Sequence, residues 1–196
     1  TQFYVQSNLV MRPVIDRAAE NKKRVVFAEG EEDRVLRAVQ ILVDDKIAVP
    51  VLVGRRYVLE TRIKRLGLRM SIDKDIEIVD PEDDPRYREY WQLYHSLMER
   101  KGVTPAVAKT VLRTNTTVIA ALLLMKGEAD AMICGTVGEY HRHLKEVTSL
   151  VGLKDDVETA AALVGLITDK GPLFICDTHV NPNPSVSQVC EMTILA

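Results

Sequence analysis

A chain of 196 residues, 46% hydrophobic and 28% charged, has the apolar content for a sizeable core and an ordinary globular composition. Its net charge of −2 gives no general electrostatic case for nucleic acid or an anionic membrane, so any anion site must be local. Three widely spaced cysteines, Cys134, Cys176 and Cys190, fit a reducing cytoplasm, and no apolar run approaches the roughly 20 residues of a membrane helix.

Residues 1–22 read as an amphipathic lead-in, with a short helix over 14–19 after Pro13 and a breaker at Glu20-Asn21-Lys22. The first residue is Thr rather than Met, which reads as a chain cut from something longer. Arg24 to Ala28 is a continuous apolar run of the kind that forms a buried parallel strand. Asp33 is placed to cap the next helix, whose Val35, Leu36, Val39, Leu42 and Val43 recur at helical spacing. A second strand spans 49–53, with Pro50 near its start, and a helix over 56–66 closes at Gly67. Residues 76–79 form a third strand, 81–85 a turn, and 86–100 a helix. Thr104-Pro105 opens another helix in the cap-then-proline order. Residues 116–126 are apolar on nearly every side, so that helix is expected inside. A fourth strand covers 131–134 and a helix 139–151. Residues 159–167 and 172–176 flank the turn Asp169-Lys170-Gly171 as a candidate antiparallel hairpin. The last helix, 185–196, opens with Ser185 and Gln188 at capping-box spacing.

Alternating strands and helices imply an α/β fold with a largely parallel sheet. Ligands of such sheets gather at the carboxyl ends of the strands, which singles out loops 29–34, 54–56, 134–145 and 177–185, three of them chemically unusual. The first, Glu29-Gly30-Glu31-Glu32-Asp33-Arg34, is too acidic for a phosphate loop and lacks its lysine. Either its carboxylates simply favour a helix N-terminus, or Gly30 admits a ligand to the backbone and Arg34 reaches an anion. The second runs from Cys134 to Lys145 and combines Gly135, Thr136 and Gly138 with Arg142 and Lys145 three apart on a helix. It reads equally as a glycine turn or a ligand loop. His141 and His143, two apart, point in different directions and make a poor metal pair. The third, Cys176 to Ser185, places Asp177, His179, Asn181 and Asn183 beside two Asn-Pro pairs; it reads as Asx-turns and a helix cap or as a preorganised site. Asp177 and His179 could act as an acid/base pair, with no nucleophile fixed beside them. The cysteines read as small core residues, and Trp91 with Tyr87, Tyr90 and Tyr94 as packing between helices or subunits.

Together these stretches resemble the phosphate acetyl- and butyryltransferases. Residues 27–38 resemble that family's opening strand and helix. Gly127 to Gly135 is similar to its G-x-A-D-A-x-x-S-G turn, and Asp177 to Pro184 to its D-x-x-V-N-P-x-P segment. The wording of residues 31–34, 81–87, 113–117 and 134–138 is closer still to the transacetylase-like domain fused behind the catalytic domain of large bacterial NADP-dependent malic enzymes.

The resemblance implies a three-layer α/β/α fold of two subdomains with an acyl-CoA cleft between them. Residues 1–22 would be linker, 23–155 the first subdomain, and 156–196 the start of a second, incomplete one. It implies a ligand set of Gly30, Arg34, Gly135, Thr136, Arg142, Lys145, Asp177, Asn181 and Asn183 for acyl-CoA or phosphate. Loop 135–145 and segment 177–185 would face one cleft, Arg142 and Lys145 towards CoA phosphate and Asn181 and Asn183 towards the acyl end. In the transferases, acetyl-CoA and phosphate give acetyl phosphate and CoA. In the malic enzyme branch the domain is catalytically silent, assembles a homo-oligomer and transmits acetyl-CoA inhibition. The fragment itself then needs no cofactor; NADP and a divalent metal would belong to the malic enzyme catalytic domain of the same chain, in the cytoplasm.

Departures favour the silent reading. Where the transferases carry a Thr-rich stretch and Leu-Arg-Pro, this chain has Glu139-Tyr140-His141-Arg142-His143 and then Leu144-Lys145-Glu146. Lysine keeps the charge but loses the fork that grips phosphate. An arginine expected near Arg100-Lys101 is replaced by Met98. The transferases' Ser-Arg and Asp catalytic residues fall in a segment beyond Ala196.

Overall fold

The computed structural model describes residues 2–168 and 170–196, with 2–8 as backbone course alone. Asp169 of the expected hairpin turn lies outside the described residues. The chain separates into two compact units, one of residues 18–151 and one of 1–17 with 152–196.

The larger unit is built on a parallel sheet. Strands β1 (Lys23–Phe27), β2 (Ala48–Val53), β3 (Glu77–Val79) and β4 (Ala131–Ile133) lie in the order β3-β2-β1-β4. Strand alternation sends side chains to two separate cores. Val26, Ala28, Val51, Val53 and Val79 join one, and Phe27, Leu52, Val25 and Ile78 join the other. The second core is covered by α2 (Asp33–Asp44) and α3 (Arg56–Arg65) through Val35, Leu36, Val39, Leu59 and Ile63. The first is covered by α4 (Tyr87–Met98), α5 (Pro105–Thr114), α6 (Thr116–Met125) and α7 (Tyr140–Leu150). Pro50 is tolerated in β2 because β3 begins pairing only at Val51.

Helix α6 lies in the interior, as its apolar sequence demands: Thr117 to Leu123 are all buried. Each fully buried Leu or Ile contributes roughly 1.5–3 kcal/mol. Thr104 caps α5 by accepting from the Val107 amide, with Pro105 in the first turn. Asn115 ends α5 and caps α6 through the Val118 amide. The expected Asp33 cap is corrected: Glu32 holds the cap position without a side-chain cap bond. Asp33 lies inside the first turn, where it favours the helix dipole and pairs with Arg65 at 2.7 Å.

Helix α1 (Gln2–Glu20) is longer than the short helix expected over 14–19, because it runs through Pro13. Proline forfeits one helical hydrogen bond, yet an Arg12–Asp16 pair spans the site. The hairpin is β5 (Val164–Thr168) against β6 (Gly171–Ile175), antiparallel. Its first strand is shorter than the pattern over 159–167 suggested. The Ala160 carbonyl and Ala162 amide are taken by the side chains of Asn181 and Asp177, which removes them from a ladder. The final helix α8 (Val186–Leu195) carries the expected capping box of Ser185 and Gln188. Cys134 packs against the first core, but Cys176 and Cys190 are exposed, which corrects their reading as core residues. Cys176 follows an exposed hairpin strand, and Cys190 sits on the open face of α8.

Candidate functional site

The sheet order reverses direction at β1: the chain steps outward to β2 and β3, then returns to place β4 on the other side. Loops after β1 and β4 therefore diverge, and a crevice opens at their carboxyl ends. A pocket of about 690 Å³ lies there, lined by the loops after β1, β2, β3 and β4, the α5–α6 junction and the N-terminal part of α7.

Glu29 ties the first loop to the fourth strand's loop. Its side chain is 11% exposed and its Oε1 accepts from the Gly135 amide at 2.9 Å. Gly30 follows, with its amide donating to the Val53 carbonyl. A Cβ there would sit 2.7 Å from that carbonyl oxygen and 2.9 Å from Leu52 Cβ, so glycine is required by strand packing as well as by access to the pocket. Glu31 accepts from the Arg55 amide and guanidinium at 2.9 Å. The Arg55 hydrogen bonds hold the Glu31 carboxyl below its ordinary range, against a smaller opposing effect of burial.

The loop after β4 is held from both sides. Arg34 Nη2 donates to the Thr136 carbonyl at 3.0 Å. His143 Nε2 lies 2.8 Å from the Val137 carbonyl, and Nδ1 lies 2.8 Å from the Thr117 hydroxyl. A carbonyl only accepts, so Nε2 carries a proton and donates it to Val137. Gly138 has φ 101°, and a Cβ there would lie 2.9 Å from His143 Nε2. Asn115 donates to Glu146 at 2.7 Å, which joins the α5–α6 junction to α7. Burial first, then the carboxylates of Glu29 and Glu146, raise the Cys134 thiol, which disfavours its thiolate.

Of the nine residues named from sequence, Gly30 and Arg142 line the pocket. Gly135, Thr136 and Arg34 fix the loop that forms its wall. Lys145 is exposed and absent from the lining. The pocket face of α7 is Glu139, Arg142, His143 and Glu146, the i, i+3, i+4, i+7 stripe, whereas Lys145 starts a different row. Sequence reasoning missed Glu29, Arg55, Asn115, Thr117 and His143 as wall residues. Asn115-Thr116-Thr117 carried the signal, since a polar run opening an otherwise apolar helix is out of place in a core.

Asp177, Asn181 and Asn183 belong to the smaller unit. Asp177 accepts from the amides of Ala162 and Asn181 at 3.0 and 2.7 Å and from Asn181 Nδ2 at 2.7 Å. Desolvation, which opposes ionisation, is outweighed by these bonds and by one from the Val180 amide, so the carboxyl stays ionised far into acid. Asn181 also donates to the Ala160 carbonyl at 2.8 Å. Both residues thus fold their own segment, and Asn183 is exposed. His179 Nδ1 pairs with the Thr178 hydroxyl at 2.8 Å.

The pocket's charge decides what chemistry it suits. Six carboxylates line it, of Glu29, Glu31, Glu32, Glu82, Glu139 and Glu146, against the guanidiniums of Arg55, Arg113 and Arg142. Arg55 and Arg142 are already paired, with Glu31 at 2.9 Å and Glu146 at 3.3 Å. Among the described residues, no group of three or more His, Cys, Asp or Glu has metal-binding geometry.

Comparison with known proteins agrees with the resemblance read from the sequence. The chain is 49% identical over 196 residues to an NADP-dependent malic enzyme of Haemophilus influenzae, covering all of this chain and 26% of that protein. It is 47% identical over 197 residues to an NAD-dependent malic enzyme of Rhizobium meliloti, again covering 26% of it. A phosphate acetyltransferase of Nitratidesulfovibrio vulgaris is 30% identical over 183 residues, 93% of this chain and 25% of that one. The chain thus spans about a quarter of the length of these relatives. In fold it matches a phosphotransacetylase from Streptococcus pyogenes at a TM-score of 0.81 and 19% identity, over 94% of this chain and 56% of the other. The EutD phosphotransacetylase from Staphylococcus aureus matches at a TM-score of 0.79 and 19% identity, over 96% and 55%. The "Phosphate acetyl/butaryl transferase" family matches residues 9–196, and the chain belongs to that family.

Proposed function

We propose that this chain is the acyl-CoA-responsive, catalytically silent transacetylase-like domain of an NAD(P)-dependent malic enzyme. Identity of 47–49% over the whole chain with such enzymes supports the placement. Oxidation of malate, its nicotinamide cofactor and its divalent metal are assigned to a separate catalytic domain, which is the partner of this one. A homo-oligomer is part of the same reading.

The observation that carries the silent reading is the charge of the strand-end pocket. Phosphate attacking an acetyl thioester brings negative charge and develops more in the transition state, so a transferase needs a surplus of cations there. Here carboxylates outnumber guanidiniums, and two of the three guanidiniums are neutralised within the pocket. Calorimetry of acetyl-CoA against the chain tests the binding half: saturable heat is expected, and no heat contradicts it. In the longer protein, acetyl-CoA is expected to slow malate-dependent reduction of the nicotinamide cofactor.

A further inference from the structure

We propose that the groove between α4 and α5 is a binding site for a nucleotide-type anion, a planar heteroaromatic base bearing phosphate. The base takes the Trp91 face that Lys109 covers, and Lys109 turns with Arg88 and Arg113 to the phosphates. The groove encloses about 600 Å³ and is lined by Tyr87, Arg88, Trp91, Lys109, Thr110 and Arg113, without a carboxylate.

Helix α4 uses its aromatic residues in two ways. Tyr90 and Tyr94 are 2% and 7% exposed and belong to the core. Tyr87 and Trp91, one turn apart at the edge of the same stripe, are only partly buried and lie under cations: Lys109 Nζ is 4.6 Å from the Trp91 ring centre and Arg113 Cζ 5.1 Å from that of Tyr87. The Tyr87 hydroxyl donates to the Lys109 carbonyl at 2.7 Å, which fixes the floor between the helices. Several arginines of this unit are held by carboxylates, as Arg24 is by Glu77, Arg56 by Asp73, Arg69 by Asp44 and Arg86 by Glu128. Among the described residues, Arg88, Lys109 and Arg113 have no such partner. Three unneutralised cations around two aromatic faces make a platform for stacking plus phosphate pairing. Arg113 also lines the acidic strand-end pocket, so the two cavities share a wall of opposite polarity.

The base and phosphate have two sources, the adenosine end of CoA or a free adenine nucleotide; the CoA source rests on the proposed function. Trp91 is the chain's single tryptophan, so its fluorescence reports the groove alone. The chain is titrated at low salt with adenosine 3′,5′-bisphosphate, with ADP and with acetyl-CoA, beside calorimetry of acetyl-CoA. Saturable quenching is expected, with affinity lowered about tenfold or more by Lys109→Glu or Arg113→Glu and unchanged by Arg37→Glu on α2. Quenching by the bisphosphate and acetyl-CoA but not ADP assigns the CoA end, and quenching by all three assigns a general nucleotide site. Acetyl-CoA heat without quenching, or quenching indifferent to both groove variants, overturns the groove and leaves the proposed function standing. Quenching by the nucleotides without acetyl-CoA heat keeps the groove and removes the acyl-CoA reading, and neither signal removes both.

Discussion

The Thr117 hydroxyl and His143 Nδ1 share a hydrogen bond of 2.8 Å, linking the first turn of α6 to the first turn of α7. Thr117 is 2% exposed, and the His143 side chain 14%. Through Nε2 the same ring holds the Val137 carbonyl, so the wall of the pocket hangs from the most buried helix of the domain.

Thr117→Val removes the hydroxyl and leaves His143 Nδ1 without that hydrogen bond. Urea unfolding is expected to show a loss of about 1–2 kcal/mol. Combined with His143→Ala in a double-mutant cycle, the pair should couple by about 1 kcal/mol. Additive losses would mean the two side chains act independently.

Gly30→Ala places a methyl against the Val53 carbonyl and Leu52 Cβ, in the rigid centre of the sheet. Neither neighbour is the free end of a side chain, so a loss of about 1–3 kcal/mol is expected in thermal or urea unfolding. A variant as stable as the parent would show that the β1 loop shifts at no cost.

Glu31 has a folded-state pKa depressed below its ordinary 4.5 by the Arg55 bonds. Its stabilisation is therefore fully present above about 4.5 and is lost as pH falls through the lower folded value. Glu31→Gln should cost about 1 kcal/mol at neutral pH, reduced by solvent around Arg55, and should flatten the acid limb of stability against pH. An acid limb identical to that of the parent would exclude Glu31 as a contributor.

Asp177→Ala withdraws one carboxylate from the amides of Ala162, Val180 and Asn181. Hydrogen exchange at those amides should accelerate about tenfold or more, while α6 amides are unaffected. Unchanged exchange at Ala162 would deny that Asp177 organises the segment.

The layered fold was legible because its signals are local. The apolar runs over 24–28 and 49–53, the caps at Thr104 and Ser185, and the featureless apolar helix from Thr116 each state their environment in a few residues. The shortening of β5 was not legible, since it depends on Asn181 and Asp177 reaching back to Ala160 and Ala162. Pro13 was read as a boundary because local sequence weighs its lost hydrogen bond and nothing else. The glycines of the site were visible as turn formers. His143 was not, because its partners Thr117 and Val137 come from two other segments, and only the sheet order brings them together. Motif position points to Lys145, whereas the residues of α7 that line the pocket follow helical phase.

The central claim is that the domain takes up acetyl-CoA without transferring its acetyl group. Free thiol is measured in chain saturated with acetyl-CoA, in the presence of inorganic phosphate, with saturation established by calorimetry. The account predicts bound acetyl-CoA and thiol release no faster than in buffer. Release that scales with protein and phosphate, with acetyl phosphate as product, would contradict it and make the acidic pocket a working transferase site.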